Sequence, residues 1–197
     1  HSHPECVNYI PSNLNFLSTI LNFNDCFSFY SQSPLVEETM RILCSSVELL
    51  KKRDFLKNEK EIEYHIEIVE ECLHILYKTV AFYKSPEVVP PYDLNFLLNP
   101  QGLLSETFQL SSRCEEYTVK FVEQIVKFLD FTLNSRDICD LFYFIFKQVQ
   151  SKTTIRSLMI TMTLLIECDS NKFLELFIQR KVIQTFMQYV VNCGKEL

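Results

Sequence analysis

The stretch SNKFLELFIQRKVIQTFMQYVV, Ser170 to Val191, decides the fold. Phe173, Leu174, Phe177 and Ile178 recur at spacings of three and four, and Val182, Ile183, Phe186, Met187 and Val190 resume that period after a short polar step. Such spacing gathers apolar side chains on one side of a helix, so two helices joined almost without a loop are expected.

Working towards the N-terminus, the same period continues. Ile155, Leu158, Met159, Met162, Leu165 and Ile166 predict a helix that turns at Asp169 to Asn171, and Ile138, Leu141, Phe142, Ile145, Phe146 and Val149 predict another, capped by Asn134 or Ser135. Val119, Val122, Ile125, Val126, Leu129 and Leu133 form a third stripe, opened by a capping box of Ser112 and Glu115. Connections this short make successive helices pack antiparallel. Within this half, Leu141 to Phe146 (LFYFIF) is apolar on every side. A helix of that kind is buried on both faces, in the middle of a stack or at an interface, and the excess surface around Phe142, Phe144 and Phe146 fits a homodimer or further repeats equally well.

In the first half, Ile62, Ile66, Val69, Leu73, Leu76 and Val80 define a long helix from Asn58 to about Tyr83, with Asn58 as cap and Glu61 as its capping-box acid. Met40, Leu43, Cys44, Val47 and Leu50 define its partner, started by Ser33 and Pro34 and stopped at Lys51, Lys52 and Arg53. The two are expected to form an antiparallel hairpin across Asp54 to Lys57. Residues 85–102 hold four of the seven prolines and one of the two glycines, a composition that ends helices. The expected organisation is a single all-α domain over 1–197, with helical hairpins in 1–84, a connecting loop in 85–102 and a further run of helices in 103–197.

Composition narrows the function classes. Two glycines in 197 residues leave little for hairpins or phosphate-cradling loops, which depend on positive φ. A formal net charge of -6 argues against nucleic acid as the main partner. The acidic cluster Glu59, Glu61, Glu63, Glu67, Glu70 and Glu71 reads as the solvated face of one helix, with a docking patch as the alternative. Eight cysteines stand singly, with no CxxC pair, as reduced thiols of an intracellular protein, cytoplasmic or nuclear, would. The longest uncharged run, Cys6 to Asn24, is broken by Pro11 and five asparagines, so no membrane span is expected. No signal-peptide pattern is present, and the chain opens on HSH and not on methionine, as an excised fragment would.

No residue grouping carries a recognisable chemistry. His65 and Cys72 lie seven positions apart, about 10 Å along a helix and too far for thiol activation. Cys72 with His74 supplies at most half of a zinc site, and His1, His3 and Cys6 form only an adventitious metal grip. The adjacent pairs Glu37 and Glu38, Glu70 and Glu71, and Glu115 and Glu116 point in different directions on helices. Neither a catalytic residue, a cofactor nor a metal is expected.

IRSLMITMTLLIECDSNKFLELFIQRKVIQTFMQYV, Ile155 to Val190, resembles the second half of one armadillo repeat followed by the start of the next. In that family an asparagine opens the short helix, as Asn171 would, and glycine marks the turn into the third helix, where this chain has Lys181. The resemblance implies a right-handed α-solenoid-like stack of armadillo or HEAT type, whose third helices line a groove for a peptide or a partner helix. The amides Gln184, Gln188 and Asn192 share one helix face, set opposite the Ile183, Phe186, Met187 and Val190 stripe, and offer donors and acceptors to a bound backbone. Lys120, Gln124 and Lys127 form a similar, basic stripe. The function expected is therefore a non-enzymatic scaffold or adaptor that binds another protein through that groove or through an apolar helix face that includes Phe144. The alternative is a helical domain docking on nucleic acid or a phosphorylated partner through Lys120, Lys127 and the Lys51 to Arg53 cluster.

Overall fold

The computed structural model describes residues 9–31, 33–52, 58–82, 103–126, 135–149 and 152–193. The described residues form ten helices and no strand: α1 (Ile10–Ile20), α2 (Asn24–Ser31), α3 (Leu35–Lys51), α4 (Glu59–Phe82), α5 (Leu103–Thr107), α6 (Ser112–Val126), α7 (Ser135–Gln148), α8 (Lys152–Cys168), α9 (Ser170–Gln179) and α10 (Val182–Cys193). The protein is all-α, and no repeating unit is detected among these helices. The chain divides into two compact units, His1–Tyr92 and Asp93–Leu197, with the division inside the proline-rich stretch 85–102. The whole of that stretch, the expected turn at 54–57, Arg53, Lys127, Leu129 and Leu133 lie outside the described residues.

In the first unit α4 is the central element, packed against α3 on one side and α1 on the other. Its stripe is buried as the spacing requires: Val69, Leu73, Leu76 and Val80 are each at most 1% exposed. Burying one such side chain contributes about 2 kcal/mol. The hairpin with α3 is antiparallel, since Ser46 near the end of α3 meets His65 near the start of α4. Asn58 caps α4 as expected, its Oδ1 accepting from the Glu61 N–H at 3.0 Å. The acidic face is only partly solvated: Glu59, Glu63 and Glu67 are exposed, but Glu70 and Glu71 are buried. Both lie where α4 is covered on two sides, and a periodicity reading of one helix alone does not see the second cover.

Helix α1 falls where the sequence shows only an uncharged run broken by proline. Pro11 stands in the first turn, where its missing N–H has no helical acceptor to lose. Leu14, Ser18 and Leu21 are the buried side of this region. The Ser18 hydroxyl shares its one proton between the Asn15 carbonyl at 2.9 Å and Glu71 Oε2 at 3.3 Å, and Lys78 Nζ of α4 donates to the Ser18 carbonyl. Because α1 has no basic residue in its own last turn, Lys78 supplies the cation for its carbonyl end.

The second unit is built around aromatic rings. Phe142 and Phe146 of α7, Phe173 and Phe177 of α9 and Phe186 of α10 form a chain of ring contacts with centroids 5.4–6.2 Å apart. The LFYFIF segment is therefore buried within its own unit at Phe142, Ile145 and Phe146, while Tyr143 and Phe144 are half-buried. Two caps sit earlier than the sequence reading places them. Ser111, not Ser112, caps α6, its hydroxyl accepting from the Cys114 N–H at 3.1 Å. Asp169, not Asn171, caps α9 by accepting from the Lys172 N–H at 3.1 Å. In each case the acceptor lies three residues before the amide that it satisfies.

Candidate interaction surface

The last two helices meet through a tight turn. Arg180 closes α9, with its N–H donating to the Leu176 carbonyl at 2.8 Å, and Lys181 then takes φ 59° before Val182 starts α10. This is the left-handed conformation that glycine adopts without steric cost and other L-residues adopt at about 1 kcal/mol. Lys181 is the one non-glycine residue with positive φ among the described residues. Lys181→Gly is expected to raise stability by at most about 0.5 kcal/mol, read as a small increase in the denaturant midpoint, because the added chain entropy of glycine offsets part of the relieved strain. Across this turn, Arg180 Nη1 reaches Asp140 Oδ2 of α7 at 3.0 Å and fixes the direction in which the chain leaves α9.

Helix α9 is apolar on two faces. Phe173 and Phe177 fill the core, whereas Leu174 and Ile178, one position further on, are 42% and 61% exposed. A ten-residue helix with two such pairs can bury only one against a single layer, and the sequence reading placed all four on one side. Helix α10 repeats the arrangement. Val182 is buried and Ile183 and Phe186 are half-buried, but Met187, Val190 and Val191 are 53%, 45% and 53% exposed.

The candidate amides Gln184, Gln188 and Asn192 are all exposed. At about 100° per residue the three amides span about 80°, with Val191 about 20° and Met187 about 60° beyond Gln184, so these two aliphatics adjoin the amides in one solvent-facing arc, while Val190, about 120° from Gln184, lies across the helix from them with Ile183 and Phe186. No charged residue occurs from Val182 to Asn192. Exposed helix faces ordinarily carry charge, and this arc combines apolar contact area with neutral hydrogen-bonding groups.

The other candidate residues lie elsewhere. Lys120 is half-buried, pairs with Glu116 at 2.5 Å and lies 5.9 Å over the Tyr117 ring, so its charge is engaged on α6 itself. It borders a small open cleft of about 190 Å³ with Glu116, Val119, Thr154 and Ser157. Gln124 is half-buried, and Lys127 lies outside the described residues. Lys51 and Lys52 both approach the Glu48 carboxylate, at 3.3 and 4.0 Å.

Cys72 and Cys139 are buried in the two units, and His65 is half-buried. Cys72 is fully buried, and burial holds its thiol protonated well above the usual thiol range; burial likewise pushes Cys139 up to about 12. A nucleophile needs the thiolate at neutral pH. His65 Nδ1 lies 3.4 Å from Ser46 Oγ, and desolvation lowers its pKa below that of a free imidazole. The unfolded chain thus binds a proton at His65 more readily than the native one, and stability drops as pH falls through about 6.5. In paired unfolding measurements from pH 8 to 5, His65→Gln is expected to lose part of this acid sensitivity. No group of three or more His, Cys, Asp or Glu that could hold a metal ion occurs among the described residues. No helix among them is long and apolar enough to cross a membrane.

No protein family, curated protein or solved structure matches the chain.

Proposed function

We propose that this protein is a non-enzymatic scaffold that binds another protein through the uncharged outer arc of α10 and the neighbouring exposed side of α9. The observation that carries this reading is the exposure of Met187 and Val191 beside the amides Gln184, Gln188 and Asn192 on α10, with Val190 further round the same helix and Leu174 and Ile178 exposed on α9. Apolar contact area beside neutral amides is the composition of an interface core, where charged residues are depleted, and the exposed Glu175 and Lys181 would stand at its rim. The fitting partner is an amphipathic helix or an extended peptide whose apolar side chains cover the aliphatics while its backbone reaches the amides.

The same reading assigns α8, α9 and α10 to an armadillo- or HEAT-like unit. Two features support it: α9 packs against both α8 and α10, and Lys181 takes the left-handed conformation at the position where the armadillo pattern has glycine. In that arrangement α10 is the third, groove-lining helix.

Peptides selected from a random display library against the full chain test this function, with their affinities measured by fluorescence anisotropy at low and high salt. Ile178→Asp and Gln188→Ala are expected to weaken the selected peptides by about tenfold and a few-fold respectively, with little dependence on salt. Selection of acidic or phosphate-bearing peptides with a steep salt dependence, unaffected by either substitution, would contradict it and move the function to the lysines of the alternative reading.

A further inference from the structure

A second uncharged face lies on the first unit, on the side of α1 turned away from α4. Leu14, Ser18 and Leu21 are the buried side of α1, and the exposed side carries Tyr9, Phe16 and Phe23 at 63%, 66% and 64% exposure. These three rings stand seven residues apart, two helical turns each. Tyr9 already has helical backbone angles, and the Asn22 and Phe23 N–H groups still bond to the Thr19 and Ile20 carbonyls, so the winding holds from ring to ring. Between them the exposed residues are small or neutral: Ser12, Asn13, Asn15, Thr19 and Asn22. The outer face of α4 in the same unit carries Glu59, Lys60, Glu63 and Glu67, as a solvated helix should.

We propose that this face of α1 is a self-association surface, and that its occupant is α1 of a second copy of the chain, antiparallel to the first. The spacing is symmetric about Phe16. A two-fold axis at Phe16 sets Phe16 against its own counterpart, Tyr9 against the partner's Phe23, and Ser12 against the partner's Thr19 on the same edge, which is the self-complementary pattern of an isologous interface. Charge points the same way. In a chain of net charge -6, two copies repel each other over most of their surface, and this stripe carries no charge to oppose their approach. A membrane surface is a poorer occupant, because interfacial helices are flanked by Lys or Arg, and no basic residue occurs from Cys6 to Asn24. At about 200 Å² per ring, the three exposed aromatics supply about 400 Å² per copy, half of what a standard interface uses. The dimer is accordingly weak, and its population changes over micromolar concentrations.

Sedimentation velocity on the full chain, across about two decades of micromolar concentration, reads this directly. The mass should rise from monomer towards dimer. Phe16→Glu and Phe16→Lys, each with unchanged helical circular dichroism, should stay monomeric, and their equimolar mixture should dimerise again because position 16 meets itself. Independently of the Phe16 variants, Ser12→Lys with Thr19→Glu in one chain should tighten the dimer a few-fold by pairing opposite charges across the axis. A wild-type monomer at every concentration overturns the proposal, and so does a dimer that survives Phe16→Glu, which would place association on another face. A Glu/Lys mixture that stays monomeric, or a charge pair that weakens the dimer, overturns the antiparallel register.

Discussion

Replacing Phe177 with alanine is expected to lower the unfolding free energy by about 3–5 kcal/mol, the largest single effect foreseen for this protein. Phe177 is 0% exposed, with ring centroids 5.8 Å from Phe142 and 6.2 Å from Phe173. Two costs combine: the transfer of a buried ring to water in the unfolded chain, and the cavity left among neighbours that cannot collapse into it. Phe142 and Phe173 are held by α7 and α9 backbones already in contact, so little relaxation is available. Phe177→Leu, which keeps most of the volume, should cost much less. The comparison is made by urea unfolding, with equal slopes confirming that both variants unfold from a comparably compact state. A loss below about 1 kcal/mol for Phe177→Ala would mean that α9 does not pack on α7 through this ring.

The second large effect is expected at Glu71. Its carboxylate is buried, accepts from the Ser18 hydroxyl at 3.3 Å and lies 3.9 Å from His74 Nδ1. Desolvation lowers the pKa of Lys78, and Glu71 counteracts this, so the carboxylate helps to keep charged the ammonium that caps α1. Glu71→Ala removes the second acceptor of the Ser18 hydroxyl and the negative charge beside the half-buried Lys78 ammonium and His74, a loss of about 1–3 kcal/mol. Ser18→Ala removes one neutral donor and should cost about 1 kcal/mol. The double variant should cost less than the sum of the two, because the hydroxyl and the carboxylate are partners, and a double-mutant cycle read by urea unfolding measures that difference. Additivity would mean that the 3.3 Å contact contributes nothing to holding α1 on α4.

These two sites differ in how far the sequence announces them. The apolar period locates α3, α4 and α6 to α10, because one-sided burial writes itself into spacings of three and four. Phe142, Phe146, Phe173 and Phe177 were legible in that way. Glu71 was not: it sits in a run of acids that looks solvated until α1 is laid over it, and that contact joins residues 53 positions apart. Helix α1 itself is obscured by Pro11 and its asparagines, which read as breakers, although the proline occupies the first turn where a helix tolerates it. The caps at Ser111 and Asp169 were displaced because serine, aspartate and asparagine crowd both helix starts, and only the backbone shows which oxygen reaches an N–H.

The candidate surface was half legible. Gln184, Gln188 and Asn192 were recognisable as one exposed stripe from their spacing alone. That the exposed Met187 and Val191 adjoin them was hidden, because apolar residues at helical spacing are ordinarily assigned to the core. The signal lay in the count: α9 and α10 together offer more apolar side chains than one packing face can take. Lys181 carried the complementary hint, since a turn this short needs one left-handed residue and there is no glycine to provide it.

Methyl NMR of the chain labelled at Ile, Leu, Val and Met, titrated with a library-selected peptide, reads out which helix face the peptide covers. Binding by the outer arc predicts that the shifted resonances are those of Leu174, Ile178, Met187, Val190 and Val191, with Leu43, Leu73 and Leu76 of the first unit unmoved. Shifts confined to Val119 and Val122 of α6 and Leu158 of α8, with the α9 and α10 methyls unchanged, would contradict it and place the binding face at the cleft beside Lys120.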